Sequence, residues 1–445
     1  MDFYKSKIKG KFVLQGTLTA VSALKVASGK EEESDSDILL NSEGAPYIPG
    51  SSLAGAIKAQ LLENGGTLNT IGFKKFWGLD GQNESNLDFA HATLNANSSF
   101  QVETRDGIAI DPKTNVTKPK AKYDYQVLAA GVQFDFQLII NKIDDDSIAV
   151  AAAVAGLLQN GFVLGGHKYK GKGSLKLDNS NHRQFDFSKE ADVLSWIHRD
   201  YNKGGADFQL EEMQSPVGFR INASFTIPQS LIIGSSETVS DVSTESSDKV
   251  HLQSGGKYIL SGTSLKGALR ARASLIANTV GTKEVEKLIN GLFGVMREKQ
   301  DASEKKVREA ARLRCNEPII EEVTDYIQHR IKIDRFTGGT VDHAKFDSKP
   351  IFKGKISNLE FSIVNPSEPE IGLMLLVFAD LWRGDLMIGG EKNVGRGSLK
   401  GTSAIIIVNG SKYELKDNVS IDSPLSRELD KYVKALNDYN KMNHE

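Results

Sequence analysis

Four motifs from the first half of this chain return, in the same order, in the second half. A duplicated chain has to fold as two copies of one unit, each burying its own apolar positions. Gly50-Ser51-Ser52-Leu53-Ala54-Gly55-Ala56 recurs as Gly262-Thr263-Ser264-Leu265-Lys266-Gly267-Ala268, an offset of 262 − 50 = 212. Phe76-Trp77-Gly78 recurs as Leu292-Phe293-Gly294, and Ile108-Ala109-Ile110-Asp111 as Ile331-Lys332-Ile333-Asp334, with offsets of 216 and 223. Gly165-Gly166-His167-Lys168-Tyr169-Lys170-Gly171-Lys172-Gly173-Ser174-Leu175 recurs as Gly389-Gly390-Glu391-Lys392-Asn393-Val394-Gly395-Arg396-Gly397-Ser398-Leu399, an offset of 224. The offsets only grow, as insertions between conserved-order motifs would make them. A length of 445 residues also exceeds what one hydrophobic core supports. The expected division is a first domain over residues 1–180, a linker or insertion over 181–214, where the chain turns polar and glycine-containing, and a second domain over 215–445 with a C-terminal helical extension.

Each half repeats one order of elements. Alternation over residues 12–26 and 219–233 predicts a strand. The Gly-Ser-Ser-Leu and Gly-Thr-Ser-Leu elements supply Ser and Thr caps for a helix with Leu53, Ile57 and Leu61, or Leu265, Leu269 and Ile276, on one face. A second apolar helix follows over 148–158 or 371–382, running into a strand and the glycine-rich loop. That order predicts the α+β class, as two tandem ferredoxin-like (RRM-like) βαββαβ domains with long insertions, one of them the basic stretch around 112–124. The charged run over 304–314 reads as a helix with a solvated or partner-facing surface.

The formal net charge is −2, so any nucleic-acid affinity has to come from local clusters. Residues 113–122 and 168–176 are basic, while 30–37 and 235–248 are acidic and serine-rich. One cysteine, Cys315, excludes an intrachain disulfide and a CxxC zinc site. No secretory signal pattern and no run of 18 apolar residues is present, which points to a cytoplasmic protein without a membrane partner. Neither HExxH nor a Ser/His/Asp elbow is found. Gly166-x-x-x-x-Gly171-Lys172 is not a nucleotide P-loop, because Gly173 stands where Ser or Thr is needed and a strand follows. Its glycines let a backbone approach a ligand, and Lys168, Lys170, Lys172, Lys392 and Arg396 can meet phosphate oxygens. Helices starting at Gly50-Ser51-Ser52 and Gly262-Thr263-Ser264 present N–H groups and a positive dipole end to an anion, reinforced by Lys58, Lys266 and Arg270. Ordinary helix capping accounts for the hydroxyls equally well.

The linked motifs Tyr47-Ile48-Pro49-Gly50-Ser51-Ser52-Leu53, Phe76-Trp77-Gly78 and Gly165-Gly166-x(4)-Gly171-Lys172-Gly173-Ser174-Leu175 resemble the RAMP superfamily, and within it the crRNA-binding backbone subunits of type III CRISPR effectors. Ile333-Asp334-Arg335-Phe336-Thr337-Gly338-Gly339 resembles that family's thumb hairpin, placing Arg335 at RNA. The resemblance covers roughly residues 10–178 and 217–402. It implies partners: crRNA, complementary target RNA, other RAMP backbone subunits, and the large and small subunits of the effector. It also implies a loop aspartate that serves target-RNA cleavage with Mg2+ or Mn2+. The matching position is Asp35, 15 residues before Gly50, with Asp37 the near alternative; in the second half it is Asp248, 14 residues before Gly262, with Asp241 deeper in its loop. Asp35 and Asp248 are thus the expected metal ligands. The chain departs from the pattern where Ser261 replaces the proline and where Pro112 replaces the arginine beside Asp111. Three readings follow: a backbone subunit that cuts target RNA, a structural crRNA-binding subunit that does not cut, and a RAMP endoribonuclease that processes precursor crRNA.

Overall fold

The computed structural model describes residues 8–29, 31, 33–63, 76–78, 84–110, 117–142, 146–208, 218–235, 249–282, 284–296, 308–416 and 424–439. They divide into two compact units. The first lies within residues 1–104, 125–168 and 172–216, and the second within 105–124, 169–171 and 217–445. Two short pieces of the first half, 105–124 and 169–171, therefore fold with the second unit.

In the first unit β1 (Gly10–Ala20) is the centre of an antiparallel sheet, flanked by β2 (Gln133–Lys142) and β3 (Ser174–Asp186). Short strands Leu87–Phe89 and Ala92–Leu94 add to the outer edge of β2. Alternation puts Phe12, Leu14 and Leu18 on the buried face, each 1% exposed or less. A one-residue slip between β1 and β3 at Gln15/Thr17 is taken up by Asn179, in left-handed conformation at φ 48°. Helix α1 (Gly50–Glu63) lays Leu53, Ile57 and Leu61 into the same core, and α2 (Asp146–Asn160) adds Ala151, Val154 and Leu158. Each such leucine or isoleucine contributes about 1.5–3 kcal/mol by leaving water.

The second unit repeats the plan. β4 (Phe219–Thr226) is central, between β5 (Lys355–Ile363) and β6 (Lys400–Val408), with Leu313–Cys315 on the edge of β5. Helices α3 (Gly262–Thr279) and α4 (Glu368–Arg383) pack into the core around β4. In each unit the spatial order, counted by the role of each strand in βαββαβ, is 4-1-3-2, the ferredoxin-like arrangement expected from the sequence. α4 starts with a capping box in which the Glu370 carboxylate accepts the Ser367 N–H at 2.8 Å, and it ends at Gly384 with φ 90°. The C-terminal helix α5 (Pro424–Tyr439) crosses α4 closely: a Cβ on Gly372 would lie 2.1 Å from the Tyr432 carbonyl oxygen.

Three details differ from the sequence reading. Residues 181–208 do not merely link the halves: they finish β3 and supply a helix, Glu190–Ile197, and a strand, Ala206–Asp207, that joins the first sheet. The run 304–314 is not helical where described, since Arg308–Glu309 and Leu313–Cys315 are strands. The helices begin at Gly50 and Gly262 themselves, so their Ser and Thr residues lie in the first turn rather than at the cap.

Candidate nucleic-acid interface

The two glycine-rich loops are near copies at the level of backbone hydrogen bonds. Gly166 N–H donates to Lys25 O at 2.9 Å, and Gly390 N–H to Ile232 O at 2.9 Å. Gly173 and Gly397 donate to Ala23 O and Ser230 O, both at 2.8 Å. Leu164 and Ile388 donate back to Gly173 O and Gly397 O at 2.8 and 2.9 Å. Four positions of each loop share positive φ: Gly165 and Gly389, His167 and Glu391, Gly171 and Gly395, Gly173 and Gly397. A Cβ at Gly173 would sit 1.8 Å from Leu164 O, and one at Gly397 2.1 Å from Ile388 O, which is why those two positions need glycine. His167 (φ 60°) and Glu391 (φ 57°) hold the left-handed conformation with a side chain attached, so the same point of each loop presents a different group.

In the first unit this loop faces the start of α1 across a cleft of about 350 Å³, lined among others by Lys25, Ser51, Ser52, Gly166 and Lys168. Gly50 N–H donates to His91 Nδ1 at 3.0 Å, fixing the helix origin. Ser51 is exposed, and Ser52, Lys58 and Lys168 are half-buried. Lys172 was expected at the surface but is fully buried, its ammonium 5.5 Å from the Tyr125 ring centroid. Lys25, which the sequence reading passed over, has its ammonium 4.6 Å from the same ring, and the His167 ring meets Tyr125 edge-on at 4.6 Å.

The second unit holds several of its cations internally. Arg396 is 3% exposed; its Nε lies 2.9 Å from Glu391 Oε2, its Nη1 donates to Ser230 Oγ at 3.4 Å, and its Nη2 donates to Gln328. Glu391 Oε1 also meets Arg330 Nη2 at 2.6 Å and Lys249 Nζ at 3.9 Å. Burial lowers the Arg396 pKa, and Glu391 opposes that shift. Lys266 and Arg270, expected to meet phosphate, are structural instead. Lys266 Nζ donates to Leu313 O at 2.8 Å and to Tyr169 O at 3.3 Å, and burial pushes its pKa down to about 8. Arg270 donates to Gly294 O and Asn290 Oδ1, each at 2.9 Å, tying α3 to the end of the helix Val285–Phe293. The start of α3 is covered, because a Cβ on Gly262 would lie 2.2 Å from Lys170 O and 2.9 Å from Asn316 O. Thr263 and Ser264 are half-buried beside it, and Ser261 and Thr263 hydroxyls pair at 2.6 Å. Lys170 is half-buried, whereas Lys392 is exposed. Cys315, next to Lys266, is fully buried, and burial pushes its thiol up to about 12.

The two candidate aspartates of the first half sit in different surroundings. The Asp37 carboxylate is 8% exposed and accepts the N–H groups of Glu33 (3.1 Å) and Ser34 (2.9 Å) and the Ser34 hydroxyl (2.8 Å). Gln126 closes the loop from the other side, donating to Ser36 O and Glu33 Oε2 and accepting from Ile38 N–H. Asp35 sits exposed at the tip of this fastened loop. Asp248 and Asp241 lie outside the described residues. No group of three metal-ligating side chains occurs among the described residues. Asp35 offers one carboxylate, so Mg2+ held there would take its other ligands from water and RNA phosphates.

Arg335 lies exposed at the tip of the hairpin Gln328–Ile333/Thr340–Lys349, whose turn is set by Asp334 Oδ1 accepting the N–H groups of Phe336 (2.8 Å) and Thr337 (2.9 Å). Phe336 beside it is 99% exposed. The first-half hairpin, Val102–Ile110 with Thr117–Leu128, has a tip that falls outside the described residues.

Fold and loops together define a tandem α+β protein of two ferredoxin-like domains, each carrying a glycine-rich loop against the segment that follows its central strand. A family model described as the RAMP superfamily matches residues 17–176 and 231–400. The chain belongs to that superfamily, with one copy in each half. Among solved structures it is similar to a chain of the type III-B Cmr-beta complex in the apo state, at 17% identity and TM-score 0.33, covering 38% of this chain and 96% of that one. A chain of the same complex bound to cognate target RNA matches with the same identity and score, over 37% and 96%. No curated protein matches the sequence. Among the described residues, no helix is long and apolar enough to cross a membrane.

Proposed function

We propose that this chain is a cytoplasmic two-domain backbone subunit of a type III CRISPR ribonucleoprotein, binding crRNA chiefly through phosphates and presenting paired target RNA to a loop aspartate. The observation that carries the reading is the first-unit cleft. There, Ser51 and Ser52 of the first turn of α1, the backbone of Gly165 and Gly166, and the lysines Lys25 and Lys168 line a space open to a phosphodiester. Membership of the RAMP superfamily supports it. Phosphate contacts do not read sequence, as a subunit that accepts any guide requires. The test is binding of a mixed-sequence single-stranded RNA by the full chain across a salt series. Lys168→Ala should make the salt slope about one unit shallower. An unchanged slope in a folded variant rejects the reading.

The finer reading is that Asp35 serves cleavage. Asp37 and Gln126 hold the loop, so Asp35 can approach RNA without reordering the chain. Mg2+ or Mn2+ bound there would supply positive charge at the scissile phosphate. In the second unit Leu252 N–H donates to Ile233 O, as Leu39 N–H donates to Val26 O, both at 2.8 Å. Counting four residues back from Leu39 and Leu252 gives Asp35 and Asp248. In the assembled complex, Asp35→Ala should abolish one target cut by at least about a hundredfold while guide and target binding stay intact. Asp248→Ala should abolish a second cut, displaced by the footprint of one domain. The alternative is a subunit that does not cut, and wild-type cleavage by both variants would establish it.

A further inference from the structure

The two glycine loops share a backbone but differ in charge at two matched points. Lys25 and Ile232 supply the carbonyls that receive Gly166 and Gly390, so the first loop rests on a lysine and the second on an isoleucine. At the matched left-handed position the first loop has His167 and the second Glu391. The Glu391 side chain, 13% exposed, lies within ion-pair distance of three cations: Arg396 at 2.9 Å, Arg330 at 2.6 Å and Lys249 at 3.9 Å. Arg396 is sealed in, but Arg330 and Lys249 keep 28% and 61% of their side chains exposed, so solvent reaches this anion seat. A left-handed glutamate costs some backbone energy, and here it is held by ion pairs with these cations.

We infer that Glu391 is a built-in counter-anion that occupies the second loop's anion seat and keeps RNA phosphate out of it, leaving the first loop as the phosphate-binding one of the pair. This rests on the RNA-binding reading above. An incoming phosphodiester would meet the Glu391 carboxylate and compete with a pair already formed at hydrogen-bonding distance. Removing that charge exposes Arg330 and Lys249 to solvent phosphate.

The test compares salt dependence of binding to mixed-sequence single-stranded RNA for the full chain and three variants, with thermal melts as a folding control. Glu391→Gln should bind about tenfold more tightly at low salt, with a slope steeper by about one unit. The reciprocal His167→Glu should weaken binding and make the slope shallower by about one unit. A merely structural Glu391 would alter the melt and leave the slope as it was. If Glu391→Gln does not fold, His167→Glu decides. The inference falls if the folded variants keep the wild-type slope while Lys168→Ala changes it. If Lys168→Ala is also without effect, the RNA-binding reading falls instead.

Discussion

Set side by side, the two halves show that a duplicated backbone can keep the three hydrogen bonds that anchor a loop while its electrostatics diverge. The pairs Gly166–Lys25 and Gly390–Ile232, and Gly173–Ala23 and Gly397–Ser230, are matched within 0.1 Å. Around them, the first half opens a cleft between loop and helix, whereas in the second unit Glu391 pairs with the cations beside the loop and Lys170 covers the helix origin. Geometry is inherited by the backbone. Charge is decided by single side chains.

The most damaging way to probe this likeness is at the shared glycines. Gly173→Ala and Gly397→Ala should each cost about 3 kcal/mol or more, because both combine positive φ with a carbonyl inside van der Waals distance. Denaturant titration measures this, and a half that tolerates alanine would break the equivalence of the loops.

A smaller effect separates the halves by pH. His251 takes the place that Ile38 has in the first unit, directly before the matched leucine. It is buried, with Nδ1 accepting from Ile233 N–H at 3.2 Å and Nε2 at 3.0 Å from Ile259 O, and burial lowers its pKa to about 4. Between its unfolded value near 6.5 and about 4, the unfolded state binds the extra proton, so stability falls as pH falls through that window. The loss should reach about 2 kcal/mol by pH 5. Hydrogen exchange at pH 7 and pH 5 should show faster opening of the second unit only, and equal acceleration in both would discount His251.

The smallest effect sharpens the electrostatic contrast at Lys168 and Lys392, which occupy matched loop positions. Lys168→Ala should weaken RNA binding about tenfold at low salt, and Lys392→Ala less than about twofold. Equal losses would mean that both loops carry phosphate.

The sequence made the repeat visible, and with it the 4-1-3-2 sheet, because strand and helix periodicities recur in both halves. What it concealed was which cations are already bound within the protein. Lys172, Lys266, Arg270 and Arg396 read as phosphate ligands by residue type, yet a ring, two carbonyls, a helix end and a carboxylate respectively receive them. The first three partners lie tens of residues away, where composition says nothing, whereas Glu391 stands five residues before Arg396 in the same loop. Two signals were nevertheless present in the aligned motifs: His167 against Glu391, and Lys25 against Ile232. Each mismatch inside an otherwise preserved motif marks a place where the halves differ physically. That Asp37 is fastened within its loop while Asp35 is exposed was likewise hidden, since both are aspartates in one acidic run.

The buried thiol of Cys315 gives this chain an unplanned convenience. It is the sole cysteine, and its strand holds it out of solvent with its thiolate suppressed. A maleimide dye should therefore ignore the native protein. A cysteine introduced at Phe336, the most exposed point of the second hairpin, would take the label alone, while slow background alkylation would count the openings of the second core one molecule at a time.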